Sequence, residues 1–346
     1  MTKHLIFFVH GMGNFNKDWL EKSEIPTLLK EKWNNYAKLK DLGTFGQNFE
    51  CIGVYYNDIF EYLIASWDKM VQDLGKGITD AGISASRFHL DDFMDTVSET
   101  NRDNFITTHL LDVALYYFIK EIRAHVTGRV KEQILKRLLT ENPSERHSFS
   151  IVAHSLGTAV IHDALQSLYT GEDALNPSIA RPRVLVQISN VSRLLQTDSN
   201  PYTSVVHPSL NSWEGACDTF INVSHKFDPF LIPMPFEVSD MKNNLEPINR
   251  PFVKEIEIFR VTKRNVHDLG HYLNNPIVHE ALFEGLRYWG DISDQERETA
   301  LEAYQKTTLQ DGANTLITIL EGLDIKSVKS WNDLFTAFKD FFEKVG

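Results

Sequence analysis

Six short runs rich in β-branched and aromatic residues, set apart by long stretches of helical period, constrain this chain more than any other feature of its sequence. They lie at 5–9 (LIFFV), 49–56 (FECIGVYY), 149–153 (FSIVA), 183–189 (RVLVQIS), 219–224 (TFINVS) and 255–261 (EIEIFRV). Most are apolar at consecutive positions rather than alternate ones, the pattern of strands covered on both faces. Strands covered twice belong in a parallel sheet, and most spacers are long enough for the crossover helix that a parallel connection requires. The expected fold class is therefore α/β: a doubly wound, mostly parallel sheet of about six strands with helices on both faces.

Composition narrows the function. Of 346 residues, 42% are hydrophobic and 24% charged, which supports a real core and excludes disorder, collagen and coiled coil. Lys and Arg number 35 against 47 Asp and Glu, a formal charge of −12. Such a chain is ill suited to neutralising phosphates, so neither nucleic acid nor an anionic membrane surface is an expected partner. No apolar run approaches the roughly 18 residues of a membrane span, and the run at 5–9 is too short for a signal peptide. The two cysteines, Cys51 and Cys217, sit in or beside strand-like runs and read as buried free thiols. A cytoplasmic protein is expected.

Residues 1–290 read as one sheet domain with two anomalous spacers. The longer, 57–148, carries helical stretches at 109–122 and 130–139, and 75–105 is taken as a helical insertion entered through Gly75, Gly77 and Gly82. The second, 190–217, is rich in Ser, Asn and Pro and reads as an excursion at the sheet edge. Residues 291–346 form a helical extension without strand signal. Its Trp331, Leu334, Phe335, Phe338 and Phe342 share one helical face and are expected to dock on the chain's own helices, with a homodimer contact or a lid as the alternatives.

The run at 149–153 continues into His154, Ser155, Leu156 and Gly157 and then a stretch of helical period. Ala153 to Gly157 is thus a small-x-Ser-x-small pentapeptide between a buried strand and a helix. Side chains flanking the serine must be small because such a turn is tight. The turn lifts the hydroxyl above the sheet and points a helix N-terminus at it. A nucleophilic serine needs a base, and the base needs a group that fixes its tautomer. Asp228 stands just past the run at 219–224, and the segment KRNVHDLGH after the last run holds His267, with His271 as the alternative base. All lie at the C-terminal edge of their strands, where ligands of open α/β sheets gather. The first run delivers the chain into His10, Gly11, Met12 and Gly13, a loop whose glycines let bare backbone approach a substrate. The N–H groups of Met12 and Leu156 are the expected oxyanion donors. His10 and His154 read as bracing residues, and His4, His109, His125 and His225 as surface or packing residues. His267 and His271 also have the i, i+4 spacing of zinc ligands, but Asp268 stands where a metalloprotease needs Glu, and Asn265 and Gly270 favour a loop. No metal or cofactor is expected.

Taken together, FFVHGMGN, IVAHSLG, NVSHKFDPF and HDLGHYLNNPIV resemble a lipase or serine-esterase-like α/β-hydrolase, most similar to bacterial proteins related to the GPI-inositol deacylases. The resemblance covers residues 4 to about 288. It implies an α/β-hydrolase fold without the first two strands and a Ser155, His267, Asp228 triad. It places the base at His267, because the family's histidine precedes a Tyr-Leu or Tyr-Trp pair by a few residues. Ala153 departs from the family's usual glycine. The implied activity is serine hydrolysis of carboxylic esters of apolar or lipid-like acyl groups through an acyl-enzyme. The sequence itself sets the hydrophobic residues Phe230, Leu231, Ile232, Met234 and Phe236 beside the acid, either as an apolar wall for an acyl chain or as ordinary packing beneath a loop. A thioesterase or acyltransferase on the same triad, or a silent binding module, are the alternatives.

Overall fold

The computed structural model describes residues 3–13, 15–62, 112–113, 115–117, 119–140, 148–170, 181–196, 200–211, 214–287, 292–309, 311–323, 337 and 344. All six runs form strands: β1 (His4–Val9), β2 (Phe49–Val54), β3 (Phe149–His154), β4 (Val184–Ile188), β5 (Thr219–His225) and β6 (Val253–Ile258). They build one sheet in the order β2-β1-β3-β4-β5-β6, and every pairing is parallel. The helices are α1 (Trp19–Lys22), α2 (Ile25–Trp33), α3 (Ala37–Asp41), α4 (Phe45–Asn48), α5 (Lys120–Thr140), α6 (Leu156–Thr170), α7 (Val238–Asn243), α8 (Leu269–Asn274), α9 (Pro276–Arg287), α10 (Asp294–Gln305) and α11 (Gly312–Glu321).

Period-two alternation sorts each strand between two cores. Leu5, Phe7 and Val9 of β1 join Phe149, Ile151 and Ala153 of β3 under α5 and α6. Ile6 and Phe8 face the other way and join Val152, Val184, Val186 and Ile188 under α2, α8 and α9. On α5 the buried residues Ile122, Val126, Val130, Ile134 and Leu138 recur every four positions. That continuous stripe carries one helix across Gly128; it takes in the whole stretch expected at 130–139 but only residues 120–122 of the one expected at 109–122, because residue 119 is not helical. The two edge strands depart from two-sided burial: β2 is half-buried from residue 50 to 53, and β6 is more open still. Lys254, Glu255 and Glu257 are exposed, as suits an edge strand.

Strand order fixes where the loops meet. The first crossover places β2 on one side of β1, and the next passes back over β1 to place β3 on its other side. The C-terminal ends of β1 and β3 are consequently neighbours at the point where winding reverses, with Val9 opposite Ala153.

Residues 190–217 leave from β4 and return to β5, both interior strands, so they are not an excursion at a lateral edge. Val191, Leu195, Val206, Ala216 and Cys217 of this connection are buried in the α5/α6 core. Both cysteines are free, Cys217 buried and Cys51 half-buried. The insertion expected at 75–105 and the aromatic face at 331–342 lie outside the described residues. Within the extension, α10 docks on α9 through Arg297, which pairs with Glu280 and Glu284. α11 docks elsewhere: Leu316 and Leu323 bury against Phe227, Val261 and Val266, in the loops that follow β5 and β6. No helix among the described residues is long and apolar enough to cross a membrane.

Candidate functional site

The elbow after β3 is built from backbone in contact with backbone. Ser155 adopts φ 53°, in the left-handed region, and its N–H donates to the Ile188 carbonyl at 3.0 Å. Its own carbonyl accepts from the N–H of Thr158 at 2.8 Å, closing the first turn of α6. A Cβ on Gly157 would stand 2.4 Å from the His10 carbonyl oxygen and 2.5 Å from that of Val9, and one on Gly11 would stand 2.8 Å from Ser155 Cβ. Both glycines are therefore required by close approach of the β1 loop to the elbow. The amides of Met12 and Leu156 sit on these two touching segments. Leu156 opens α6, where no helical carbonyl can reach its N–H.

Three side chains from three loops meet above this elbow. His267 Nε2 lies 2.9 Å from Ser155 Oγ, and His267 Nδ1 lies 2.9 and 3.1 Å from the two oxygens of Asp228. Asp228 is completely buried. Burial alone would raise its pKa, but the charge and hydrogen bond of His267 and the hydroxyls of Tyr272 and Ser189 outweigh it and hold the carboxyl at about 2. An ionised carboxylate only accepts, so Nδ1 carries the proton and Nε2 accepts from the Ser155 hydroxyl. Tyr272 donates its O–H to Asp228 Oδ2 at 2.7 Å, and the Phe230 N–H donates to Oδ1 at 3.1 Å. The Phe230 ring packs on His267 with centroids 4.3 Å apart.

No protein-family model, curated protein or solved structure matches this chain. The chemistry must be read from the residues themselves.

His271 is directed elsewhere. Its Nδ1 meets Thr262 Oγ1 at 2.9 Å, and its ring lies 5.2 Å from that of His225. Burial, with His225 beside it, lowers its pKa to about 4. His271 stands within α8, and Gly270 is helical rather than in a loop. Asp268 caps that helix by accepting the His271 N–H at 2.8 Å, and this cap with tertiary packing outweighs the low helix propensity of glycine. His154 Nε2 donates to the His267 carbonyl at 2.7 Å, tying the elbow to the histidine loop, and burial keeps it neutral with a pKa of about 3. His10 stacks on Tyr56 at 4.1 Å and donates from Nδ1 to the Gly11 carbonyl at 2.7 Å. His4 is buried on Ser148 and Ser150, His225 is buried, His125 is exposed, and His109 lies outside the described residues.

Residues 230–236 do not form one lining. Phe230 covers His267, Phe236 packs on Phe220 and Tyr202, Ile232 joins the α11 cluster, and Met234 is exposed. Two partners carry no sequence signal of their own: Ser189 beside Asp228, and buried Asp112, whose Oδ2 accepts the Gly13 N–H at 3.4 Å; Tyr272 is legible in the sequence as part of the Tyr-Leu pair, but not as a donor to Asp228.

A second Ser, His, Asp set provides a contrast. His162 Nε2 lies 3.0 Å from Ser204 Oγ and its Nδ1 3.1 Å from Asp163. Here the carboxylate is already paired with Arg123 at 2.6 Å and accepts from the Tyr116 hydroxyl at 2.7 Å. Its charge is shared with a guanidinium and is poorly placed to stabilise an imidazolium.

Proposed function

We propose that this chain is a serine hydrolase of the α/β-hydrolase kind that cleaves carboxylic esters of apolar, lipid-like acyl groups. The observation that carries this reading is the continuous hydrogen-bonded series from Ser155 Oγ through His267 to Asp228, with 2.9 Å at each step. It stands on a left-handed serine where the winding of the sheet reverses. A parallel sheet in the order β2-β1-β3-β4-β5-β6, with His10 and Gly11 after β1 and the elbow after β3, also supports the α/β-hydrolase reading.

In the first half-reaction Ser155 Oγ bonds to the ester carbonyl carbon while its proton passes to His267 Nε2. The ionised Asp228 stabilises the imidazolium. The carbonyl oxygen takes the displaced electron pair and is met by the N–H groups of Met12 and Leu156. Collapse of this intermediate breaks the bond to the alcohol oxygen, which leaves with the proton from His267. Water repeats the sequence on the acyl-serine and releases the carboxylic acid. The preference for apolar acyl groups is supported by the Phe230 ring packed on the histidine and by half-buried Met12.

The test uses p-nitrophenyl butyrate and a fluorophosphonate probe. Wild type is expected to turn over the ester and to be labelled at Ser155. Ser155→Ala is expected to do neither while retaining its melting temperature, because alanine keeps the Cβ and loses only the hydroxyl. Equal turnover by folded Ser155→Ala would remove the serine from the chemistry.

A further inference from the structure

Ser155 has a counterpart on the neighbouring strand. Only Ser155, Ser189 and Asp311 among the described non-glycine residues have positive φ, and Ser189, at 50°, nearly repeats the 53° of Ser155. The two serines are held alike. Ser155, at the end of β3, donates its N–H to Ile188 of β4 at 3.0 Å, and Ser189, at the end of β4, donates its N–H to Val223 of β5 at 2.9 Å. Non-glycine residues held in this conformation concentrate at functional sites, where the surrounding structure overrides the steric cost. Both hydroxyls reach the same imidazole from opposite sides, Ser155 Oγ at 2.9 Å from Nε2 and Ser189 Oγ at 3.1 Å from Nδ1.

We propose that Ser189 is a positioning residue for His267, holding the Nδ1–H toward Asp228 so that Nε2 stays aimed at Ser155. The inference rests on the hydrolase reading for its catalytic consequence and on geometry alone for the positioning. Nδ1–H is the donor that the ring offers on this side, and its acceptors are the two carboxylate oxygens and the Ser189 oxygen. The Ser189 proton goes to the Asp228 carboxylate, which also accepts from Tyr272. Both hydroxyls thus engage the carboxylate, and a lone pair of Ser189 Oγ faces the Nδ1–H of the ring that becomes cationic during acylation. Without Ser189 the ring keeps its charge partner and loses the contact that limits rotation about its own axis. All the groups involved are buried, with Ser189 and Asp228 completely enclosed.

Two variants separate the hydroxyl from the backbone. Ser189→Ala deletes the hydroxyl and keeps the strained backbone, whereas Ser189→Gly deletes it and relieves the strain. Both are expected to fold, Ser189→Gly with a melting temperature equal to or above wild type. For p-nitrophenyl butyrate, kcat should fall about tenfold or more with KM nearly unchanged, and fluorophosphonate labelling should slow in parallel. In protein labelled with 15N-histidine, the downfield Nδ1–H resonance, identified by its absence in His267→Gln, should shift in both variants. A purely structural role for Ser189 predicts unchanged kcat in the stabilised glycine variant. Wild-type kcat in an active enzyme, or an unmoved Nδ1–H resonance in folded Ser189→Gly, overturns the proposal. If wild type is neither active nor labelled at Ser155, the hydrolase reading fails instead, and the resonance alone still decides whether Ser189 positions the ring.

Discussion

Ser155 occupies a conformation that costs an L residue roughly 1–2 kcal/mol relative to the right-handed region. The cost is met by closure of the elbow around it, where Gly157 and Gly11 admit no Cβ. The same site distinguishes two histidines four residues apart. His267 Nε2 is within 2.9 Å of Ser155 Oγ, whereas His271 is engaged with Thr262 and His225. His267→Ala is accordingly expected to lower kcat for p-nitrophenyl butyrate by several orders of magnitude, and His271→Ala by less than about tenfold. Steady-state kinetics on both folded variants check this ordering, and its reversal would move the base to His271. Sequence spacing left the two rivals in one loop. The structure separates them because α8 starts between them, leaving His267 in the preceding turn and turning His271 into the helix.

At the scale of elements, the C-terminal extension acts on the loops rather than on the sheet. Leu316 of α11 is 1% exposed in a cluster with Phe227 and Val266, the residues immediately before Asp228 and His267. The Leu309 N–H also donates to the Val261 carbonyl at 2.8 Å, pinning the chain that leads into the histidine loop. Leu316→Ala is expected to cost about 2–5 kcal/mol in chemical unfolding and also to slow fluorophosphonate labelling of molecules still folded. Its neighbour Ile317, 37% exposed, is the control, and Ile317→Ala should change stability by no more than about 0.5 kcal/mol and leave labelling unaltered. Identical behaviour of the two variants would show that α11 does not brace the loops. The extension was legible in the sequence as helical. Its docking surface was not, because an amphipathic stripe specifies that a face must be covered and says nothing of what covers it.

For the whole molecule, buried histidines set the response to acid. Burial lowers His4, His154 and His279 to about 3 and His10 and His271 to about 4, against 6.5 for the unfolded chain. The unfolded state therefore takes up protons as pH falls through 6.5 while the folded state does not. Stability is full above 6.5 and declines toward the folded values of 3 to 4. The slope approaches about 1.4 kcal/mol per pH unit for each histidine. Against a total of about 5–15 kcal/mol, unfolding is expected with a midpoint above pH ~4.5, before most carboxylates titrate. Asp228, lowered to about 2 from 3.8, withdraws its contribution only below pH 4. Urea midpoints measured by circular dichroism between pH 7.5 and 5 check this, and a flat profile over that range would contradict it.

Local periodicity and covalent order were enough to read six strands, the crossover helices, the serine turn between strand and helix, and the succession Ser155, Asp228, His267. Each is a property of a continuous stretch, so each leaves a trace in neighbouring residues. Tertiary structure alone decided that β1 lies between β2 and β3, which brings the His10–Gly13 loop against the elbow. It alone selected Ser189 and Asp112 as partners of the site, and it alone showed that Tyr272 donates to Asp228. A single serine or aspartate has no spacing to betray it. Its role arises only when strands distant in sequence end side by side and a buried carboxylate or amide requires a partner.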